Sequence, residues 1–101
     1  MSRPQLTESE LAGIRAVFRR HSRIAAVTLF GSRAKGTAHD RSDVDLAIHG
    51  DVSPLEAESI AAELDDLPLP YRFEVQPLDA IRHKPLRDHI ARVGIRIYQA
   101  A

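Results

Sequence analysis

Apolar and polar positions follow two rhythms along this chain, a helical one and a period-two one, and the switches between them mark the elements. Leu11, Ile14 and Phe18 recur at helical spacing, with Val17 widening the stripe. Thr7 and Glu10 stand ahead of them as a capping box, a hydroxyl and a carboxylate that satisfy orphan amides at a helix start. Leu6 and Leu11 hold the hydrophobic-staple positions around that box. The pattern predicts a helix over residues 8–21. The run IAAVTLF does not alternate, so Ile24 to Phe30 reads as a strand covered on both faces. From Asp43 to Ile48 the chain alternates, with Val44, Leu46 and Ile48 on one face and Asp43, Asp45 and Ala47 on the other.

Ser53-Pro54-Leu55-Glu56 reads as a second capping box with proline at the first helical position. Leu55, Ile60, Ala61 and Leu64 are the expected apolar side of a helix over residues 54–66, which Pro68 and Pro70 must end. Tyr71 to Gln76 reads as a third strand, with Phe73 and Val75 opposite Arg72, Glu74 and Gln76. Pro85 opens a last helix striped by Leu86, Ile90 and Val93, with Gly94 as its C-cap. Ile95 to Tyr98 alternates and reads as a short terminal strand. Helices alternating with strands predict a two-layer α/β domain, helices packed on a small sheet, spanning residues 1–101 as one unit.

Composition narrows the class. At 101 residues, 44% hydrophobic and 28% charged, the chain fits one globular domain with a modest core. It has no cysteine, which removes disulfides, thiolate metal sites and a cysteine nucleophile, and fits a cytoplasmic location. MSRPQLTESE has no apolar core of a secretory signal, and no apolar run approaches the roughly 20 residues of a membrane span. Fourteen basic residues balance fourteen acidic ones, so no net field draws the molecule to nucleic acid. Charge is nonetheless segregated. Basic residues gather at 15–23 and 82–96, and acidic ones at 51–66. With no aromatics interleaved, the basic clusters read as solvated helix faces rather than nucleic-acid contacts.

The chemistry concentrates in residues 31–45, GSRAKGTAHDRSDVD. On a strand, Asp43 and Asp45 project from one face about 6.5–7 Å apart at Cα. Hard carboxylate oxygens at that spacing suit Mg²⁺ or Mn²⁺. Two such ions about 3.5–4 Å apart can stabilise the attacking and leaving oxygens of a phosphoryl or nucleotidyl transfer. Gly31 lets backbone approach a ligand closely, and Ser32 to Lys35 can begin a short helix whose free amides suit a phosphate. The Ser32 hydroxyl, Arg33 and Lys35 add a hydrogen bond and positive charge. The spacing is neither that of a P-loop nor that of a dinucleotide-binding G-x-G-x-x-G. His39 reads as a surface residue. His49 shares the aspartate face by parity but falls at the strand's far end.

GSRAKGTAHDRSDVDLAI resembles the G-S-x-x-x-G…S-D-x-D-L signature of the polymerase β-like nucleotidyltransferase superfamily. The short length resembles its minimal nucleotidyltransferase branch and the antitoxins of HEPN/MNT toxin–antitoxin pairs. By that resemblance, Gly31, Ser32, Arg33, Lys35 and Ser42 belong to the nucleotide site. Asp43 and Asp45 bind metal, Glu74 takes the place of a third acid, and ATP supplies AMP to a hydroxyl of a partner toxin. The family usually carries aspartate where Glu74 stands, and arginine where Lys35 stands. The longer Glu74 changes the ligand geometry, and lysine keeps the charge without the bidentate fork. Two other readings stay open: an inactive antitoxin that neutralises its toxin by binding alone, and a free-standing enzyme acting on a small molecule.

Overall fold

The computed structural model describes residues 3–101. Helix α1 (Glu8–Arg19) leads into strand β1 (Ile24–Phe30), the one-turn helix α2 (Ser32–Lys35) and strand β2 (Val44–Gly50). Helix α3 (Pro54–Asp65) precedes strand β3 (Phe73–Pro77), and a 3₁₀ turn (Leu78–Ala80) leads to helix α4 (Lys84–Val93) and strand β4 (Ile95–Gln99). The fold is a mixed α/β domain whose four-stranded sheet has the order β3-β2-β1-β4. β1 pairs antiparallel with β2 and β4, whereas β2 and β3 run parallel, as strands joined by a helical crossover can.

The capping box of α1 forms as expected. Thr7 Oγ1 accepts from the Glu10 amide at 3.1 Å, and the Glu10 carboxylate accepts from the Thr7 amide at 2.8 Å. The second box is half made. Ser53 Oγ accepts from the Glu56 amide, but the Glu56 carboxylate turns instead to His21, 3.6 Å away at the end of α1. His21 also meets Glu63 at 2.6 Å, so polar contacts tie the two helices together beside their apolar faces.

Most of the core lies between one face of the sheet and helices α1 and α3. Ile14, Val17 and Phe18 pack there with Val27, Leu29, Val44, Leu46, Ile48, Ile60 and Leu64. Each large side chain so buried contributes about 1.5–3 kcal/mol. The buried face of α3 is Ala57, Ile60 and Leu64; Leu55 is 74% exposed, contrary to its expected place in the core. Leu55 precedes Ile60 by five residues, roughly 140° around a helix from that stripe. On the opposite sheet face a smaller cluster of Phe30, Ala47, Ile81 and Ile90 seats α4. Gly94 caps α4 in an extended conformation (φ −63°, ψ 146°), not a left-handed one. Its role is close packing: a Cβ there would clash with the Ile90 carbonyl and with the Thr28 methyl of β1. No helix among the described residues is long and apolar enough to cross a membrane.

Candidate active site

Strand β1 ends at Phe30, and the chain turns at Gly31 with φ 74° and ψ −155°, a region that residues with a Cβ rarely enter. A Cβ on Gly31 would also overlap the Asp45 carboxylate. Glycine is therefore required twice over, once by the backbone and once by its neighbour. The same contact places the Asp45 side chain directly against the start of the Gly-Ser turn. Strand register explains the meeting: Asp45 pairs with Phe30 across the antiparallel β1–β2 ladder.

On its other side Asp45 pairs with Glu74 in the parallel β2–β3 register, so the two acids stand side by side on neighbouring strands. Asp45 is half-buried, and its carboxyl is raised above the ordinary range by burial first, then by the charges of Asp43 and Glu74. Three carboxylates thus act on one another at the end of the sheet next to Gly31. An oxygen-rich, electron-dense set of this kind fits a hard divalent cation, which would relieve the repulsion. No group of three potential ligands stands at metal-holding spacing among the described residues, however. Asp43 is exposed, and Glu74 pairs with Arg72 at 3.3 Å. The backbone brings the acids together, and their side chains must still converge to hold an ion.

Arg33 departs from its expected place in the nucleotide site. It is 3% exposed, and its guanidinium donates to the carbonyls of Gln5, His39 and Ser42 at 2.9–3.3 Å. Its plane lies 4.2 Å from the centre of the Tyr71 ring. In this position the side chain braces the loop between α2 and β2, with its donors committed to protein. Ser42 is part of the same brace: its hydroxyl accepts from the His39 amide, and its carbonyl accepts from Arg33. Lys35 is exposed in the last turn of α2. Among the expected site residues, the structure groups Gly31, Asp43, Asp45 and Glu74, opens α2 at Ser32 next to Gly31, and turns Arg33 and Ser42 to the loop's interior.

Sequence reasoning missed three residues that shape this region. Gln5 donates its amide to the Arg33 carbonyl, and its side chain exchanges two hydrogen bonds with Ala38 at 2.7 and 3.1 Å. Tyr71 stacks on Arg33 and donates its hydroxyl to Glu10 at 2.6 Å. That bond, with burial and the Glu10 charge, raises the Tyr71 hydroxyl above its usual value. Arg72 holds Glu74. Only Tyr71, an aromatic beside a proline-rich turn, carried any local signal. His39 is exposed, as expected, and its ring accepts from the Arg41 amide. His49 lies away from the acids, bonded to Thr28 Oγ1 at 2.8 Å.

No curated protein matches the chain. Solved structures do. A crystal structure of a toxin–antitoxin with AMP-PNP superposes with a TM-score of 0.75 at 20% identity, covering 94% of this chain and 75% of that one. A tri-AMPylated Shewanella oneidensis HEPN toxin in complex with MNT antitoxin gives a TM-score of 0.72 at 15% identity, over 94% and 74% of the two chains. A third structure, of a minimal nucleotidyltransferase, gives 0.68 at 28% identity, over 87% and 92%. These likenesses are of fold. The family model described as "Polymerase beta, Nucleotidyltransferase" matches residues 13–101, a span that contains the Gly31 turn and all three acids. This chain belongs to the polymerase beta nucleotidyltransferase family.

Proposed function

We propose that the protein is a nucleotidyltransferase that moves AMP from ATP onto a hydroxyl of a partner protein, as the antitoxin of a HEPN/MNT pair. The observation that carries this reading is the close approach of the Asp45 carboxylate to the Gly31 turn, with Glu74 beside Asp45 on the next strand. Further support comes from the fold's likeness to toxin–antitoxin structures, one with AMP-PNP and one whose toxin is tri-AMPylated. Gly31 and Ser32, with Lys35 nearby, receive the triphosphate. Asp43, Asp45 and Glu74 would hold Mg²⁺ or Mn²⁺, whose charge, when bound, neutralises the phosphate oxygens. The acceptor oxygen bonds to the α-phosphorus as the bond from that phosphorus to the β-bridging oxygen breaks. Pyrophosphate leaves with that electron pair, and Glu74 accepts the acceptor's proton.

Incubation with labelled ATP, Mg²⁺ and the protein encoded by the neighbouring gene, the expected toxin, tests the reading. Wild type should label the toxin, and Asp43→Asn/Asp45→Asn should not. Equal labelling by both, or by neither, overturns transfer. One observation favours a second reading, neutralisation by binding alone: Glu74, in the place of the third acid, is engaged by Arg72 at 3.3 Å. In that case the double variant would inhibit the toxin as well as wild type does, mole for mole.

A further inference from the structure

A second cleft opens on the same sheet face, at the other end of β2. Alternation puts Asp45, Ala47 and His49 on that face, so His49 lies about 13 Å from Asp45 along the strand. The small cluster of Phe30, Ala47, Ile81 and Ile90 fills the space between them. Beyond that plug is a cavity of about 420 Å³, bounded by Thr28 and His49 from the sheet, Arg96 from β4, and Arg87 and Ile90 from α4. Leu78, Ala91 and Gly94 supply the apolar part of a mixed lining.

Its charge is positive and pre-positioned. Arg87 Nη1 donates to the Leu78 and Ile81 carbonyls at 2.7 and 3.0 Å, which fixes the guanidinium at the rim. No bond among the described residues engages its Nε or Nη2. Arg96 is held by Gln99 at 2.8 Å. The acid on the wall, Asp88, is exposed and pairs with Lys84 at 3.0 Å. His49 is held below its usual imidazole range by burial first and by Arg96 second, with Asp79 opposing them. His49 thus sits half-buried on the cleft wall within reach of the Arg96 charge, with Arg87 lining the same cleft.

We propose that this cleft is a ligand site for a small organic anion, a carboxylate or phosphate on an apolar body, separate from the site at Asp45. Arg87 and Arg96 grip the anionic head as paired forks, and Ile90 and Leu78 cover the body. The probes are benzoate and phenyl phosphate, which separate a carboxylate from a phosphate head, with phenol as the neutral control. Each is titrated into the full chain and followed by amide and histidine-ring NMR. At least one anion should saturate shifts at Thr28, His49, Gly94 and Arg96, and should raise the His49 titration. Phenol should bind at least about tenfold more weakly. Arg96→Gln should weaken the anion about tenfold, and so should Arg87→Gln, while Asp43→Asn/Asp45→Asn leaves it unchanged. No saturable shift, equal binding of phenol, or shifts confined to residues 31–45 would overturn the proposal. Arg96→Gln decides the matter if Arg87→Gln unfolds, because the exposed Arg96 side chain bonds only to a surface glutamine among the described residues.

Discussion

Replacing Asp45 with asparagine removes a carboxylate that burial, Asp43 and Glu74 hold above its ordinary value of 3.8. An acid with a raised folded value penalises the native state as it ionises. The penalty is absent below about pH 3.8, grows as pH rises through the folded value, and is complete at neutrality. Asp45→Asn should therefore raise the melting temperature at pH 7, with the gain shrinking toward zero in acid; a flat difference across that range would contradict it. Glu74→Gln should slow transfer about 10²-fold while ATP binding changes less, as measured by single-turnover labelling beside calorimetry. Arg33 behaves differently. Arg33→Ala removes a buried guanidinium together with its bonds to three loop carbonyls and should cost about 1–3 kcal/mol in urea unfolding, and Arg33→Lys should recover only part, lacking the planar fork. The sequence displayed the charge of Arg33 and not its direction. A one-turn helix has no apolar stripe to phase it, so a buried brace and a phosphate contact look alike there.

At the scale of elements, local signals were enough where the physics is local. Thr7 and Glu10 cap α1 as their spacing predicts, and the non-alternating run at 24–30 is the buried strand β1. The short helix after Gly31 and the alternation of β2 were legible for the same reason. Long-range pairing was not. Nothing near Glu74 announces that parallel pairing sets it beside Asp45; that register depends on a crossover through α3. The phase of α3 was also misjudged at Leu55, since an apolar residue near a helix start counts toward a core whichever way it points. Leu55→Ser should thus change stability by no more than about 0.5 kcal/mol, whereas Ile60→Ala should cost about 2–5 kcal/mol. Gly31→Ala should cost about 1–3 kcal/mol, because a positive φ and the Asp45 carboxylate both oppose a methyl group. Denaturant midpoints for the three variants check these values together.

Across the whole molecule, the balanced charge count conceals two unlike sides: acidic α3 on one face of the sheet and basic α4 on the other. The acids at residues 43, 45 and 74 add local negative charge that a bound cation would offset. Mg²⁺ with ATP at a hundredfold excess over its dissociation constant should stabilise the fold by about 2.7 kcal/mol, and Asp43→Asn/Asp45→Asn should abolish that gain in a thermal melt. The grip of Gln5 on Arg33 and Ala38 has a wider consequence. The described segment ahead of the first helix thereby latches the bend between α2 and β2, beside the candidate site, so a pull on that segment from a fused tag or a docked protein should loosen the bend. Gln5→Ala would unfasten it, and hydrogen exchange at Ala38 would quicken while the sheet stays protected.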